Sequence, residues 1–220
     1  MSTALPLPPP HDHDATRARL VEAAGEVFAE HGFQAATVRE ICARAGANIA
    51  AVNYHFRDKM GLYDAVLLES ICVAKMADLR QLAEQSQTPE IALHQIVNGM
   101  LRRMAHAAER GNWHVRIMAH EMAHPTSGLD RVVELAIGPN YSVLRGVIAQ
   151  IVGLPPHHDV VRLSTHSVIA QVVHWAHARP VISRVWPDLE MTDARLDQIA
   201  RHITDFSLAA LRTFAQESTK

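Results

Sequence analysis

The sequence predicts an all-α chain: a three-helix head containing a helix-turn-helix, then a longer helical body, with nine or ten helices in all. Three observations carry that expectation. Apolar residues recur at helical spacing along most of the chain, and no stretch shows the alternation of a strand. Helix start and stop signals punctuate it: Thr88-Pro89-Glu90, Pro125, Gly153-Leu154-Pro155-Pro156 and Pro180. Residues 37–63, TVREICARAGANIAAVNYHFRDKMGLY, place two short amphipathic segments on either side of Ala45-Gly46, the pattern of a helix-turn-helix.

Composition sets the bounds. The 220 residues leave room for one or two domains with a real core, and a net charge of −2 rules out a polycation. Cys42 and Cys72 both fall at apolar helical spacings and read as buried reduced thiols, not a disulfide framework. No stretch approaches the ~20 apolar residues of a membrane span. The N-terminus lacks the basic and apolar regions of a signal peptide, so a cytoplasmic location is expected.

Residues 1–13 are Pro-rich and aperiodic and read as a disordered tail, with His11 and His13 as solvated side chains. Asp14 can cap a helix to about His31, with Leu20, Val21, Ala24, Val27 and Phe28 as its stripe and Gly32 as its end. Thr37 and Glu40 form a capping-box pattern for a helix over Val38–Ala45, and Gly46 suits the left-handed turn after it. Asn48 caps a second helix over Ile49–Phe56. A fourth helix starts near Lys59 and keeps its spacing past residue 80. Further helices are expected over 89–109, 113–123, about 127–152 with a bend near Gly138-Pro139, 157–178, a short piece to Trp186, and 192–215. The domains expected are the tail 1–13, a head 14–60 and a body 61–220.

The outer face of 49–56 has the chemistry of a groove reader. Ala50 and Ala51 are small enough for close backbone approach, and Asn48, Asn53, Tyr54 and His55 offer short hydrogen-bonding groups. Asn suits an adenine edge, while Tyr and backbone amides suit phosphate. Arg39, Arg44, Arg57 and Lys59 outnumber Glu40 and Asp58, so the segment is locally basic. Lys59 at a helix start opposes the macrodipole and fits an external anion such as phosphate.

The head resembles the TetR family of one-component transcriptional regulators. The resemblance rests on Ala24, Phe28, Gly32, Phe33, Thr37, Ile41, Ala45-Gly46, Tyr54-His55-Phe56, Lys59 and Leu62-Tyr63, spaced without a gap. Asn53 departs from it, because the family often has Tyr there. Asn48 to Phe56, Glu121 to Thr126 and Ala178-Arg179-Pro180 resemble the CecR-like branch. The resemblance implies a ligand-responsive regulator, a repressor rather than an activator, bound to palindromic double-stranded operator DNA as a homodimer. Thr37, Arg39, Asn48, Ala50, Ala51, Asn53, Tyr54, His55 and Lys59 are then the DNA-contacting residues. The broad apolar stripes of 157–178 and 192–216 suit a four-helix interface between two copies. The resemblance also implies a small-molecule effector in the body. Trp113, Met118, Tyr141 and Trp175, with His120, His166 and His174, are the candidates to line its pocket.

A second reading comes from another class. His120-Glu121-Met122-Ala123-His124 spells H-E-x-x-H, which on a helix sets two imidazoles one turn apart beside a possible base, as in a zinc hydrolase. Pro125 ends the helix directly after it. The longer protease form wants Gly at 127 and a third ligand at 130; Ser127 departs from it, with Gly128 one place late, whereas Asp130 can ligate zinc. The favoured reading assigns no catalytic residue, no cofactor and no resident metal.

Overall fold

The computed structural model describes residues 10–72, 79–109 and 113–218. Every regular element among them is helical: α1 (Pro10–Ala35), α2 (Val38–Ala45), α3 (Ile49–Phe56), α4 (Lys59–Cys72), α5 (Leu79–Gln85), α6 (Pro89–Glu109), α7 (Trp113–Ala123), α8 (Ser127–Val132), a π turn (Val133–Ile137), α9 (Gly138–Val152), α10 (Asp159–His177), α11 (Arg179–Val185) and α12 (Asp193–Ser218). Residues 1–9 of the expected tail lie outside the described residues, as do the side chains of His11, His13 and Cys72. The chain divides into two compact units, Met1–Ser70 with Arg116–Val132, and Ile71–Val115 with Val133–Lys220.

In the first unit, α1 buries Leu20, Ala24, Val27 and Phe28 completely. Gly32, at φ +72, breaks the helix where the sequence places its end. Thr37 Oγ1 accepts from the Glu40 amide at 3.2 Å and caps α2. The other half of the expected capping box does not form. Arg44 Nη2 donates to the Glu40 carboxylate at 2.9 Å, and Nη1 and Nη2 fork onto the two oxygens of Glu30 at 3.1 and 2.7 Å. A guanidinium outcompetes a backbone amide for an ionised carboxylate. Gly46 closes α2 at φ +60, and its N–H reaches the Ala43 and Cys42 carbonyls. Cys42 is buried, which pushes its thiol pKa up.

In the second unit, α6 packs against α5, α9, α10 and α12. Thr88 Oγ1 caps its first turn through the Ile91 amide at 3.3 Å. Leu93, Ile96, Val97, Ile148, Val161 and Val172 are fully buried at its centre. A polar seam joins α6 to α12: Arg102 donates to Asp193 at 2.7 Å and to Asp197 at 2.8 Å, and Asn98 donates to Asp197 at 3.1 Å. The expected bend at Gly138-Pro139 takes the form of the π turn just before it. Pro139 has no amide for the carbonyl one turn back, and a widened turn removes that mismatch. A Cβ on Gly138 would lie 2.8 Å from the Val133 carbonyl oxygen, so the turn needs glycine there.

Candidate nucleic-acid interface and body recess

The α2–α3 turn leaves one face of α3 bare. Val52 is fully buried and Phe56 nearly so, whereas Asn48, Ile49, Ala50, Asn53 and Tyr54 are exposed and Ala51 and His55 half-buried. Asn48 Oδ1 accepts from the Ala51 amide at 2.9 Å, which fixes its carboxamide at the helix start. Tyr54 is 74% exposed, far above the norm for a tyrosine in a small domain. Thr37 and Arg39 are exposed at the start of α2, on the same helix-turn-helix. Arg44 is not available to an anion, because Glu30 and Glu40 already occupy its guanidinium.

The join from α3 to α4 is tightly constrained. Arg57 caps α3 at φ +73, ψ −51, and its N–H reaches the Asn53 carbonyl. Asp58 Oδ1 accepts from the Gly61 amide at 2.8 Å and caps α4, a role hidden in the sequence behind its charge. Lys59 Nζ donates to the Gln34 carbonyl at 3.3 Å and lies 4.6 Å from the centroid of Phe33. Burial lowers its pKa, and the cation–π contact holds the ammonium in one place.

Sequence reasoning missed the segment 116–132, which groups with the head. Glu121 is fully buried there. Tyr63 Oη donates to Glu121 Oε2 at 2.7 Å, and the Thr126 amide and hydroxyl donate to Oε1 at 2.7 and 2.9 Å. These bonds hold both carboxylate oxygens, so Glu121 ties α7 to α4 and to the start of α8. Burial and the adjoining carboxylate push the Tyr63 hydroxyl pKa far up. The Tyr63 ring stands 4.8 Å from both Phe28 and Phe33. His124 is exposed, and His120 Nδ1 lies beside Gly32. Among the described residues, Glu30, His31 and Glu40 are grouped closely enough to hold an ion, but Arg44 already bridges their carboxylates.

The seven expected pocket residues are dispersed. Met118 and His120 fall in the head unit and are half-buried. In the body unit, Trp113 is buried and stacks on His114 at 3.6 Å. Tyr141 meets the exposed His166 at 5.3 Å, and the exposed His174 sits edge-on to Trp175 at 6.2 Å. Trp175 lines a recess of about 290 Å³ with Pro180, Ile182, Leu189 and Met191, and Arg179 and Ser183 supply its polar groups. A narrower pocket shares Trp175, Arg179 and Met191 and is closed by Leu101, Met104 and Leu196.

Comparison with known proteins accounts for this arrangement. Residues 20–66 match the family model of the bacterial regulatory proteins of the tetR family. Residues 89–211 match that of the C-terminal domain of the HTH-type transcriptional dual regulator CecR. The chain is 28% identical over 174 residues to CecR of Shigella flexneri, covering 73% of this chain and 75% of that protein. It is 33% identical over 98 residues to the transcriptional repressor AcnR of Corynebacterium glutamicum, covering 44% of this chain and 45% of AcnR. The fold is similar to that of FadR from Bacillus subtilis, solved with stearoyl-CoA, with a TM-score of 0.64 at 13% identity over 87% of this chain and 97% of that one. It is also similar to HlyIIR, a hemolysin II regulator, with a TM-score of 0.57 at 17% identity over 84% and 97%. A helix-turn-helix head and a CecR-type body, matched over most of the chain, place it among transcriptional regulators and not among enzymes: it belongs to the TetR family, in the branch that carries the CecR C-terminal domain.

Proposed function

We propose that this chain is a homodimeric operator-binding repressor in which each copy lays α3 in the major groove and a small molecule held in the body releases the DNA. The observation that carries the reading is the division of α3 into a buried apolar edge, Val52 and Phe56, and an exposed polar edge, Asn48, Asn53 and Tyr54. Asn48, Ala50, Ala51 and Asn53 approach base edges. Thr37, Arg39, Tyr54, His55 and Lys59 hold phosphates.

Exposed Leu163 on α10 and Phe206 and Phe214 on α12 support dimerisation through those two helices. Large side chains left 66% and 64% exposed, as Leu163 and Phe206 are, suit burial by a second copy. A twofold dimer fits a palindromic site with half-sites spaced by whole helical turns. The effector acts by preferring the conformer whose heads are wrongly spaced for that site, which requires differential affinity for the two conformers.

The test is binding of the purified protein to the DNA upstream of its own coding sequence, across a salt series. Saturable binding of dimers with a steep salt dependence is the expected result. Equal affinity for that DNA and a scrambled duplex would overturn the reading.

A further inference from the structure

We propose that the recess between the end of α10, α11 and the segment leading into α12 is a binding site for a small amphipathic carboxylate, with Arg179 as counter-charge and Trp175 as apolar platform. The inference rests on reading the body as effector-binding, and it names both the place and the ligand class.

Three observations carry it. The walls are apolar: Trp175, Pro180, Ile182, Leu189 and Met191 surround a recess of about 290 Å³. A pocket with mostly hydrophobic walls and a few polar groups is the usual form of a small-molecule site. Arg179 lines both this recess and the narrower pocket beside it. Two other arginines at helix junctions are held by carboxylates: Arg44 by Glu30 and Glu40, Arg102 by Asp193 and Asp197. Arg179 has no carboxylate within ion-pair distance among the described residues, and its guanidinium is a five-donor fork suited to a carboxylate. Ser183, one turn further along α11, adds a hydroxyl to the same wall.

The volume narrows the class. A recess at the lower end of the range for ligand pockets takes an aromatic or medium-chain acid, not a nucleotide conjugate. A single cation favours a monoanion over a polyphosphate.

Isothermal titration of the full chain with phenylpropionate, octanoate and the uncharged analogue phenylpropanol tests the site. Saturable binding of one acid per chain is expected, with the alcohol at least about tenfold weaker, as befits a lost charged hydrogen bond. Arg179→Met should weaken the acid by about tenfold or more while leaving the alcohol unchanged, and Arg179→Lys should restore part of the loss. Ser183→Phe, at an exposed position, should fill the recess and abolish binding while the helical circular dichroism stays intact. Equal affinity for acid and alcohol, an Arg179→Met variant that binds like the parent, or no saturable binding of either acid at millimolar concentration would overturn the proposal. A parallel operator-release assay separates the two readings. Acid binding to a protein that fails to recognise operator DNA supports the site and sinks the regulatory reading. Operator binding without acid binding sinks the site alone.

Discussion

Gly61 stands where any side chain would collide with backbone. A Cβ there would lie 2.0 Å from the Phe56 carbonyl oxygen, at the point where α4 turns back under α3. Gly61→Ala should therefore lower stability by about 3 kcal/mol or more, read as a shifted urea midpoint, because neither backbone can move without tilting α3. Two substitutions on the proposed DNA face should behave differently from each other. Lys59→Ala should weaken all duplexes alike and reduce the salt slope by about one, since a phosphate contact carries no sequence information. Asn53→Ala should instead change the preferred base at one operator position, by about 1–3 kcal/mol of discrimination. A uniform loss across operator variants would move Asn53 to the phosphate group. The caps at Thr37, Gly46 and Asn48 were legible in the sequence because a cap is a local event within four residues. The fate of Glu40 was not: its carboxylate goes to Arg44, which also reaches across to Glu30 on α1.

At the scale of elements, α7 shows how far a motif can mislead. H-E-x-x-H is a statement about one face of one helix, and it is silent on what the neighbouring helices bring to that face. Here Tyr63, 58 positions away in sequence, brings a hydroxyl, and Thr126 brings an amide and a hydroxyl. Glu121→Ala should leave these donors buried without an acceptor and lower stability by about 2–4 kcal/mol. Tyr63→Phe in the same chain should recover part of that loss, because removing both partners is cheaper than orphaning one. Thermal melts of the two single variants and the double variant complete the cycle, and additive losses would show that the bond is not the source of the effect. The helix boundaries were largely readable from proline, glycine and cap residues. The grouping of 116–132 with the head was not, since it depends on which buried surfaces meet and leaves no periodic trace.

At the scale of the molecule, two predictions concern the second copy and the response to acid. Leu163→Glu with Phe206→Glu should convert dimers to monomers in sedimentation and cost operator affinity, without loss of helix content. Retained dimers would move the interface off α10 and α12. On acidification two groups act in the same direction. Burial holds His177 below its ordinary value of 6.5, so the unfolded chain takes up its proton first and stability begins to fall as pH drops through that value. Asp197, held below the usual carboxylate range chiefly by the Arg102 guanidinium and also by Asn98, contributes stability at neutral pH that is lost as pH falls through its folded value. Melting temperature should therefore decline in two stages below neutrality, and His177→Gln should erase the upper stage alone.

The backbone at Arg57 carries strain beside the proposed DNA-reading helix. An arginine at φ +73, ψ −51 occupies the sparsely populated region of a strained γ-turn, at a cost of about 1–3 kcal/mol that glycine would largely avoid. Arg57→Gly should raise the melting temperature of the free protein while thinning the positive charge next to α3. A library selected for thermotolerance alone would accept that exchange, and one selected for repression would refuse it. Running the two selections side by side turns a single dihedral angle into a measure of what the side chain contributes to operator occupancy.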